Sequence, residues 1–110
     1  TCALPIFQYN SRACMERYAQ IARAIGLPGS TDKQLTDSLV NAVREMNKKL
    51  GIAQTYRENG VTEELLNANI DKICENAVKD PCTSSNPRPI DVENMKKVLL
   101  CAFNGDDVTF

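Results

Sequence analysis

Three prolines between residues 81 and 89 interrupt a chain whose other segments have helical periodicity. Each proline removes a backbone donor and fixes φ, and it also pushes the preceding residue away from the α region. Ser84, Ser85 and Asn86 add side chains that hydrogen-bond the local backbone and favour turns. The segment 80–90 is therefore predicted to be a rigid loop between two helices. Loops on a helical scaffold are common places for functional residues.

Apolar residues at spacings of three and four predict about five helices, and no segment alternates apolar and polar residues long enough to predict a strand. The first ten residues read as the end of a helix or a buried segment, closed by Asn10 and Ser11. Further helices are predicted over about 13–25, 32–50, 63–79 and 92–104. Thr31, Thr62 and Asp91 are the expected N-caps. Residues 1–110 are thus predicted to be a single all-α domain or partial domain, an irregular bundle of about five helices.

The same spacing predicts which side of each helix is buried. The predicted stripe of the third helix is Leu35, Leu39, Val43, Met46 and Leu50. The stripes of the second, fourth and fifth helices are Met15, Tyr18, Ala19, Ala22 and Ile25; Leu65, Leu66, Ile70, Ile73, Ala77 and Val78; and Met95, Val98, Leu99, Ala102 and Phe103.

Charge and composition exclude several classes of function. Thirteen basic and 14 acidic residues give a net charge of −1, which disfavours binding to nucleic acid or an anionic membrane surface. No apolar run approaches the roughly 20 residues that span a bilayer. The first residues show no charged region followed by an apolar one, so no secretory signal is expected. The first residue is Thr1, followed at once by an apolar segment, and we expect it to be the cut edge of a longer protein.

The cysteines and the missing histidines limit the possible chemistry. The five cysteines are an odd number without Cys-x-x-Cys spacing, which favours reduced cytosolic thiols: Cys2, Cys14, Cys74, Cys82 and Cys101. Without histidine there is no Ser-His-Asp triad and no imidazole base. A metal site is poorly supported, and no glycine-rich phosphate loop occurs. No catalytic, cofactor-binding or metal-ligating residue is therefore assigned to this chain.

Five segments carry a recognisable order and spacing: residues 4–10, 16–26, 50–52 and 59–61, and the most specific one, Cys82-Thr83-Ser84-Ser85-Asn86-Pro87-Arg88-Pro89. Taken together, they resemble the C-terminal domain of iron-containing alcohol dehydrogenases. The resemblance implies a two-domain enzyme, with an N-terminal α/β nucleotide-binding domain and an all-helical C-terminal domain. It also implies a metal site of one aspartate and three histidines. This chain has no histidine, so it would begin just downstream of the metal-binding half.

The resemblance further implies that the full-length enzyme interconverts a primary alcohol or diol and its aldehyde. It would use NAD(P) and Fe²⁺ or Zn²⁺, in the cytoplasm, as a homo-oligomer. The partners of this chain would be the nucleotide-binding domain, the upstream metal-binding helices and a small alcohol or aldehyde. The chain alone would be inactive, and Cys82 would line the substrate cleft and affect which substrates fit.

Other interpretations stay open at this stage. Cys82 could instead be a small buried hydrophobe in a turn. Arg88 could contact a cofactor phosphate or a substrate anion, pair with a helix C-terminus or a carboxylate, or only solvate the loop. Asn86 is expected to be a local turn-former, and Tyr9 to be a core or boundary aromatic with its hydroxyl at the surface.

A different class of function is also compatible with the helical pattern. The chain could be a free-standing protein-interaction module that uses an apolar groove between helices. The sequence upstream of Thr1 would discriminate this alternative from the dehydrogenase.

Overall fold

The computed structural model describes residues 3–110, and this part of the chain contains four α-helices and no strand. The helices are α1 (Ala3–Ala24), α2 (Asp32–Lys49), α3 (Glu63–Lys79) and α4 (Val92–Asn104). The predicted all-α class is confirmed. No helix in residues 3–110 has the length and apolar character that crossing a membrane requires.

The first two predicted segments are both helical, and they run together as α1 across a kink. The predicted closure at Asn10 and Ser11 is wrong, since the helix continues through both residues and bends at Cys14, where φ is −137° and ψ is 31°. Ser11 Oγ donates to the Gln8 carbonyl at 2.7 Å, and Cys14 Sγ donates to the Asn10 carbonyl at 3.1 Å. Side chains that bond back to an earlier turn are satisfied without ending a helix, and they often bend it.

The predicted N-caps of the other helices are confirmed. At α2, Thr31 Oγ1 accepts from the Gln34 backbone at 3.2 Å while the Gln34 side chain accepts from the Thr31 backbone, which completes a capping box. Thr62 caps α3, and Asp91 caps α4 through a 2.7 Å bond from the backbone N–H of Asn94. Each cap satisfies a donor that a helix leaves free in its first turn.

The helices pack as two hairpins. Helix α1 packs on α2, α3 packs on α4, and the contact between α1 and α4 joins the two pairs. The α1–α2 core contains Ala19, Ala22, Leu35 and Leu39, with Phe7, Tyr18 and Leu27 around it. A second core, where α1 meets α4, contains Tyr9, Val98 and Val108, with Ile6, Ile90, Cys101 and Phe110 around it.

Residues 106–110, which we call the C-terminal tail, complete the second core. Val108 is buried, and its backbone N–H donates to Gln8 Oε1 at 3.0 Å. Asp107 accepts from Gln8 at 2.5 Å and from Arg44 at 2.7 Å, so it links α1 with α2. No periodic pattern in the sequence marks this tail for burial.

The predicted buried stripes are correct only where a neighbouring helix covers them. Leu35 and Leu39 of α2 are buried, but Met46 is 61% exposed and Leu50 is 67% exposed. The prediction is also wrong for Ile25, Leu65 and Ile73, which are exposed. Within residues 3–110, helix α2 packs on α1 but not on α3 or α4, so only one side of α2 is covered by a helix.

The stripe predicted for α4 is confirmed, since Val98, Ala102 and Phe103 are buried and Met95 and Leu99 are half-buried. This helix contacts both α3 and α1.

Candidate functional site

The loop between α3 and α4, residues 80–91, begins with a short 3₁₀ turn, Pro81–Ser85. Asp80 ends α3 in an extended conformation, as its position before a proline predicts, and its Oδ1 accepts from the Cys82 backbone at 2.8 Å. Thr83 Oγ1 donates to the Ala77 carbonyl in the last turns of α3 at 2.5 Å. The start of the loop is therefore attached to the end of α3.

Asn86 attaches the other end of this turn to α1. Its side-chain amide pairs with that of Asn10, each Nδ2 donating to the other's Oδ1 at 2.8 Å. Asn86 Nδ2 also donates to the Arg88 carbonyl at 2.6 Å, which is the local turn contact expected from the sequence. Asn10 is only 5% exposed, so the pairing satisfies a buried amide. Asn86 is thus a long-range contact as well as a local turn-former.

Arg88 lies against Tyr9 of α1. Its Nη1 donates to the Tyr9 carbonyl at 3.0 Å and to the Phe110 carbonyl at 2.8 Å, and its guanidinium carbon lies 3.9 Å from the Tyr9 ring centroid. Within the described chain Arg88 therefore binds backbone carbonyls and an aromatic ring, and not a carboxylate side chain. The tail residue Phe110 is therefore connected to the loop.

The position of the Tyr9 hydroxyl differs from the prediction. Tyr9 is 1% exposed, and its hydroxyl donates to the Pro89 carbonyl at 2.8 Å instead of lying at the surface. A buried phenol needs such a partner.

Cys82 is exposed in the middle of the 3₁₀ turn, so the alternative of a small buried hydrophobe is wrong for the described chain. Its backbone N–H donates to Asp80, and its carbonyl accepts from Ser85 Oγ at 2.8 Å. The turn therefore holds the backbone of Cys82 on both sides while the side chain stays accessible.

The other described thiols lie deeper in the fold, and Cys2 lies outside the described residues. Cys74 is fully buried, and burial raises the pKa of its thiol. Cys101 is half-buried, and burial is also the main cause that raises the pKa of its thiol, followed by the charges of Asp106 and Asp107. A raised pKa lowers the thiolate fraction, so both residues suit a core better than a reactive site.

A polar groove lies between α1, α2 and the C-terminal tail, with a volume of about 840 Å³. Its charged lining residues have partners within the chain: Lys33 pairs with Asp37 at 2.6 Å, and Arg44 pairs with Asp107 at 2.7 Å. Arg12 donates to the Thr109 carbonyl. Sequence reasoning missed this groove because no motif marks it, and its paired charges point to no particular ligand.

The described residues do not fit the metal that the sequence resemblance implies. Among residues 3–110, no group of three or more histidine, cysteine, aspartate or glutamate side chains is placed to hold a metal ion. Protein sites for zinc and iron are built from such side chains.

Comparison with known proteins identifies similar sequences. The family model described as "Fe-containing alcohol dehydrogenase family, C-terminal" matches residues 1–103. The NADPH-dependent butanol dehydrogenase of Clostridium saccharobutylicum is 43% identical over 105 residues, which is 96% of this chain and 27% of that protein. The bifunctional aldehyde-alcohol dehydrogenase AdhE of Escherichia coli K12 is 36% identical over 102 residues, 91% of this chain and 11% of that protein.

The NAD-dependent methanol dehydrogenase of Bacillus methanolicus is 33% identical over 93 residues, 83% of this chain and 23% of that protein. The chain therefore spans roughly a quarter or less of the length of these relatives.

Proposed function

The chain belongs to the Fe-containing alcohol dehydrogenase family, and from this membership we propose that it forms the C-terminal helical part of an iron-dependent alcohol dehydrogenase. The full-length protein interconverts a primary alcohol or diol and its aldehyde with NAD(P). The single observation that supports this proposal most is the family match over residues 1–103 of 110. That match favours the dehydrogenase over the free-standing interaction module.

In this proposal the reaction needs protein that this chain does not contain. The described residues do not fit a metal ion, so the ligands of Fe²⁺ or Zn²⁺ belong to upstream helices. The nucleotide binds an N-terminal domain. Relatives described as NADPH-dependent and NAD-dependent both match, so the coenzyme is proposed only as NAD(P). Residues 1–110 are one helical domain or part of one, in a cytoplasmic protein.

The exposed apolar side chains support packing against the rest of the same protein. Met46, Leu50, Leu65 and Ile25 are each more than half exposed although they occupy helical stripes. Large apolar residues that repeat on one helix face usually meet another surface. We propose that the nucleotide-binding domain, the upstream metal-binding helices or a second subunit of a homo-oligomer covers these faces.

The contribution of this chain to the site is the wall formed by the loop at residues 80–91. Cys82 lines the substrate cleft there and limits the size of the alcohol. An exposed side chain on a turn whose backbone is hydrogen-bonded on both sides suits this role. Cys82 acts by its volume and position, not as a nucleophile.

The test is Cys82→Ala in the full-length protein. We expect the ratio of kcat/KM between a short and a bulky primary alcohol to change about threefold or more, because Cys82→Ala removes the thiol and leaves space for roughly one further methylene group, which is worth up to about tenfold or more in an apolar pocket. Iron content should stay at the wild-type level. Cys101→Ala is the matched thiol deletion outside the loop, and it should leave the ratio unchanged. Loss of iron, or an unchanged ratio, would contradict the placement of Cys82.

The isolated chain gives a second test. Incubated with NAD(P)⁺, Fe²⁺ and 1-butanol, it should produce no reduced nicotinamide and should retain no stoichiometric iron after gel filtration, because it lacks a ligand set. The full-length protein is the positive control. Turnover by the chain alone would refute the proposal that the metal ligands and the nucleotide site lie outside this chain.

A further inference from the structure

Two contacts hold the loop at residues 80–91 against adjacent residues of α1. Asn10 pairs with Asn86 through two amide hydrogen bonds, and Tyr9 receives the guanidinium of Arg88 on its ring and at its carbonyl. Tyr9 and Asn10 are 1% and 5% exposed. We call these two contacts the α1 lock.

The α1 lock is specific because its polar groups satisfy one another in a partly buried place. Moving the loop along α1 would break both hydrogen bonds between the Asn10 amide and Asn86, and the loss of hydrogen bonds to a buried amide is costly. The lock is also stiff, because Pro87 and Pro89 restrict the backbone next to the two residues that form it.

The lock and the end of α3 together hold the 3₁₀ turn from both sides. Asp80 and Thr83 bind the turn to α3, while Asn86, the residue directly after Ser85, binds it to α1. Cys82 lies between these attachments. Its position relative to α1 therefore depends on the lock, because the backbone hydrogen bonds of Cys82 go to Asp80 and Ser85 of the same loop.

We infer that Asn86 and Arg88 are positioning residues that set where the Pro81–Ser85 turn, and with it Cys82, lies relative to α1. They act through the turn and touch no reacting group. In the full-length enzyme this placement determines which alcohols the cleft admits, a consequence that rests on the proposed function. A side chain displaced by a fraction of its own length changes the shape of a pocket and therefore its discrimination.

Asn86→Ala and Arg88→Gln in the full-length protein test the inference. The ratio of kcat/KM for a short and a bulky primary alcohol is independent of the fraction of active protein, so general destabilisation does not change it. We expect both variants to shift the ratio about threefold or more, in the range that small pocket changes produce. Arg88→Lys keeps a cation near the Tyr9 ring and a donor, so it should shift the ratio less than Arg88→Gln.

Thr36→Val is the matched control. It removes the bond from Thr36 Oγ1 to the Met15 carbonyl, 3.3 Å long, and so weakens another attachment of α1 without touching the loop. It should lower Tm but leave the ratio at its wild-type value. A control that shifts the ratio as far as the lock variants would show a general effect of α1 and overturn the inference.

Hydrogen exchange of the backbone amides at residues 82–86 provides a readout that does not need turnover. We expect faster exchange there in Asn86→Ala and Arg88→Gln, and wild-type exchange in Thr36→Val. Unchanged exchange in both lock variants would overturn the lock itself.

The two measurements also separate the two proposals. A ratio that Cys82→Ala shifts but neither lock variant shifts would overturn the positioning role and leave the proposed function intact. If the lock variants exchange faster but no variant, Cys82→Ala included, shifts the kcat/KM ratio, the result would support the lock and overturn the placement of Cys82 in the cleft.

Discussion

Leu39 of α2 and Leu50, the C-cap residue of that helix, occupy the same predicted stripe, yet the structure places them in opposite environments. Leu39 is 6% exposed in the α1–α2 core, whereas Leu50, at the end of the helix, is 67% exposed. We therefore expect Leu39→Ala to destabilise the chain strongly and Leu50→Ala to have little effect. The pair forms a matched test, because the chemical change is identical.

The size of the difference follows from the burial of the two side chains. Replacing leucine by alanine removes three carbon groups, each worth about 0.8 kcal/mol when buried, so complete burial corresponds to about 2.4 kcal/mol. Leu39 is almost completely buried, so Leu39→Ala loses nearly all of this amount, and the cavity left behind raises the expected loss of unfolding free energy to about 3 kcal/mol. Leu50 is one-third buried, so Leu50→Ala should lose about 0.8 kcal/mol at most, and it leaves no enclosed cavity. The two losses should therefore differ by about 2 kcal/mol.

The assay is urea unfolding of the wild-type chain, Leu39→Ala and Leu50→Ala, monitored by the circular dichroism of the helices. The protein concentration is kept low enough to avoid association through the exposed apolar faces. Leu39→Ala should lower the midpoint strongly with little change in slope, which indicates a change in stability and not in exposed area. Equal losses for the two variants, within about 0.5 kcal/mol, would refute the assignment of their environments.

The same pair in the full-length protein tests the proposed packing of the exposed faces. If the rest of the protein covers the end of α2, Leu50→Ala should become costly there, approaching the roughly 2–5 kcal/mol typical of buried leucines. A small loss in both contexts would show that Leu50 faces solvent in the full-length protein as well.

Two further predictions concern a turn and a titration. Gly29→Ala should lower the free energy of unfolding by about 1–3 kcal/mol, since its Cβ would lie 2.9 Å from the backbone nitrogen of Leu35. Gly26→Ala, where a Cβ meets nothing within 4 Å, should lower it by only about 1 kcal/mol, because of the positive φ. Equal urea midpoints for the two variants would contradict this. Burial, followed by the hydrogen bond with Cys14, raises the pKa of Tyr18 from 10.0 to about 12. The unfolded chain loses this proton at lower pH than the folded chain, so the stabilisation is complete below pH 10 and is lost as the pH rises through about 12. Tyr18→Phe should abolish that decline, and an unchanged pH profile of unfolding would rule out Tyr18 as its source.

The candidate site was predictable only in part. The proline spacing predicted the loop and the extended conformation of Asp80, and the resemblance to a family pointed to Cys82. The partners of Asn86 and Arg88 on α1 were not predictable, because they lie 76 and 79 residues away in the sequence. Amide and guanidinium groups bind many acceptors equally well, so their chemistry alone does not select a partner.

The sequence by itself determined the all-α class and the ends of the helices after α1. Thr31, Thr62 and Asp91 act within three residues of their own positions, and a proline restricts only itself and its neighbours. These effects are local, so a pattern of a few residues is sufficient to predict them. The exception is the bend of α1, where Ser11 and Cys14 bond back into the helix instead of ending it.

Only the tertiary structure decided which apolar faces are covered. Leu39 and Leu50 fit one periodic stripe, but burial depends on whether another helix lies opposite. The tail has no periodicity, yet Val108 is buried and bonded to Gln8, 100 residues away. The physical reason is that helical periodicity describes one element, whereas burial is a property of two surfaces in contact.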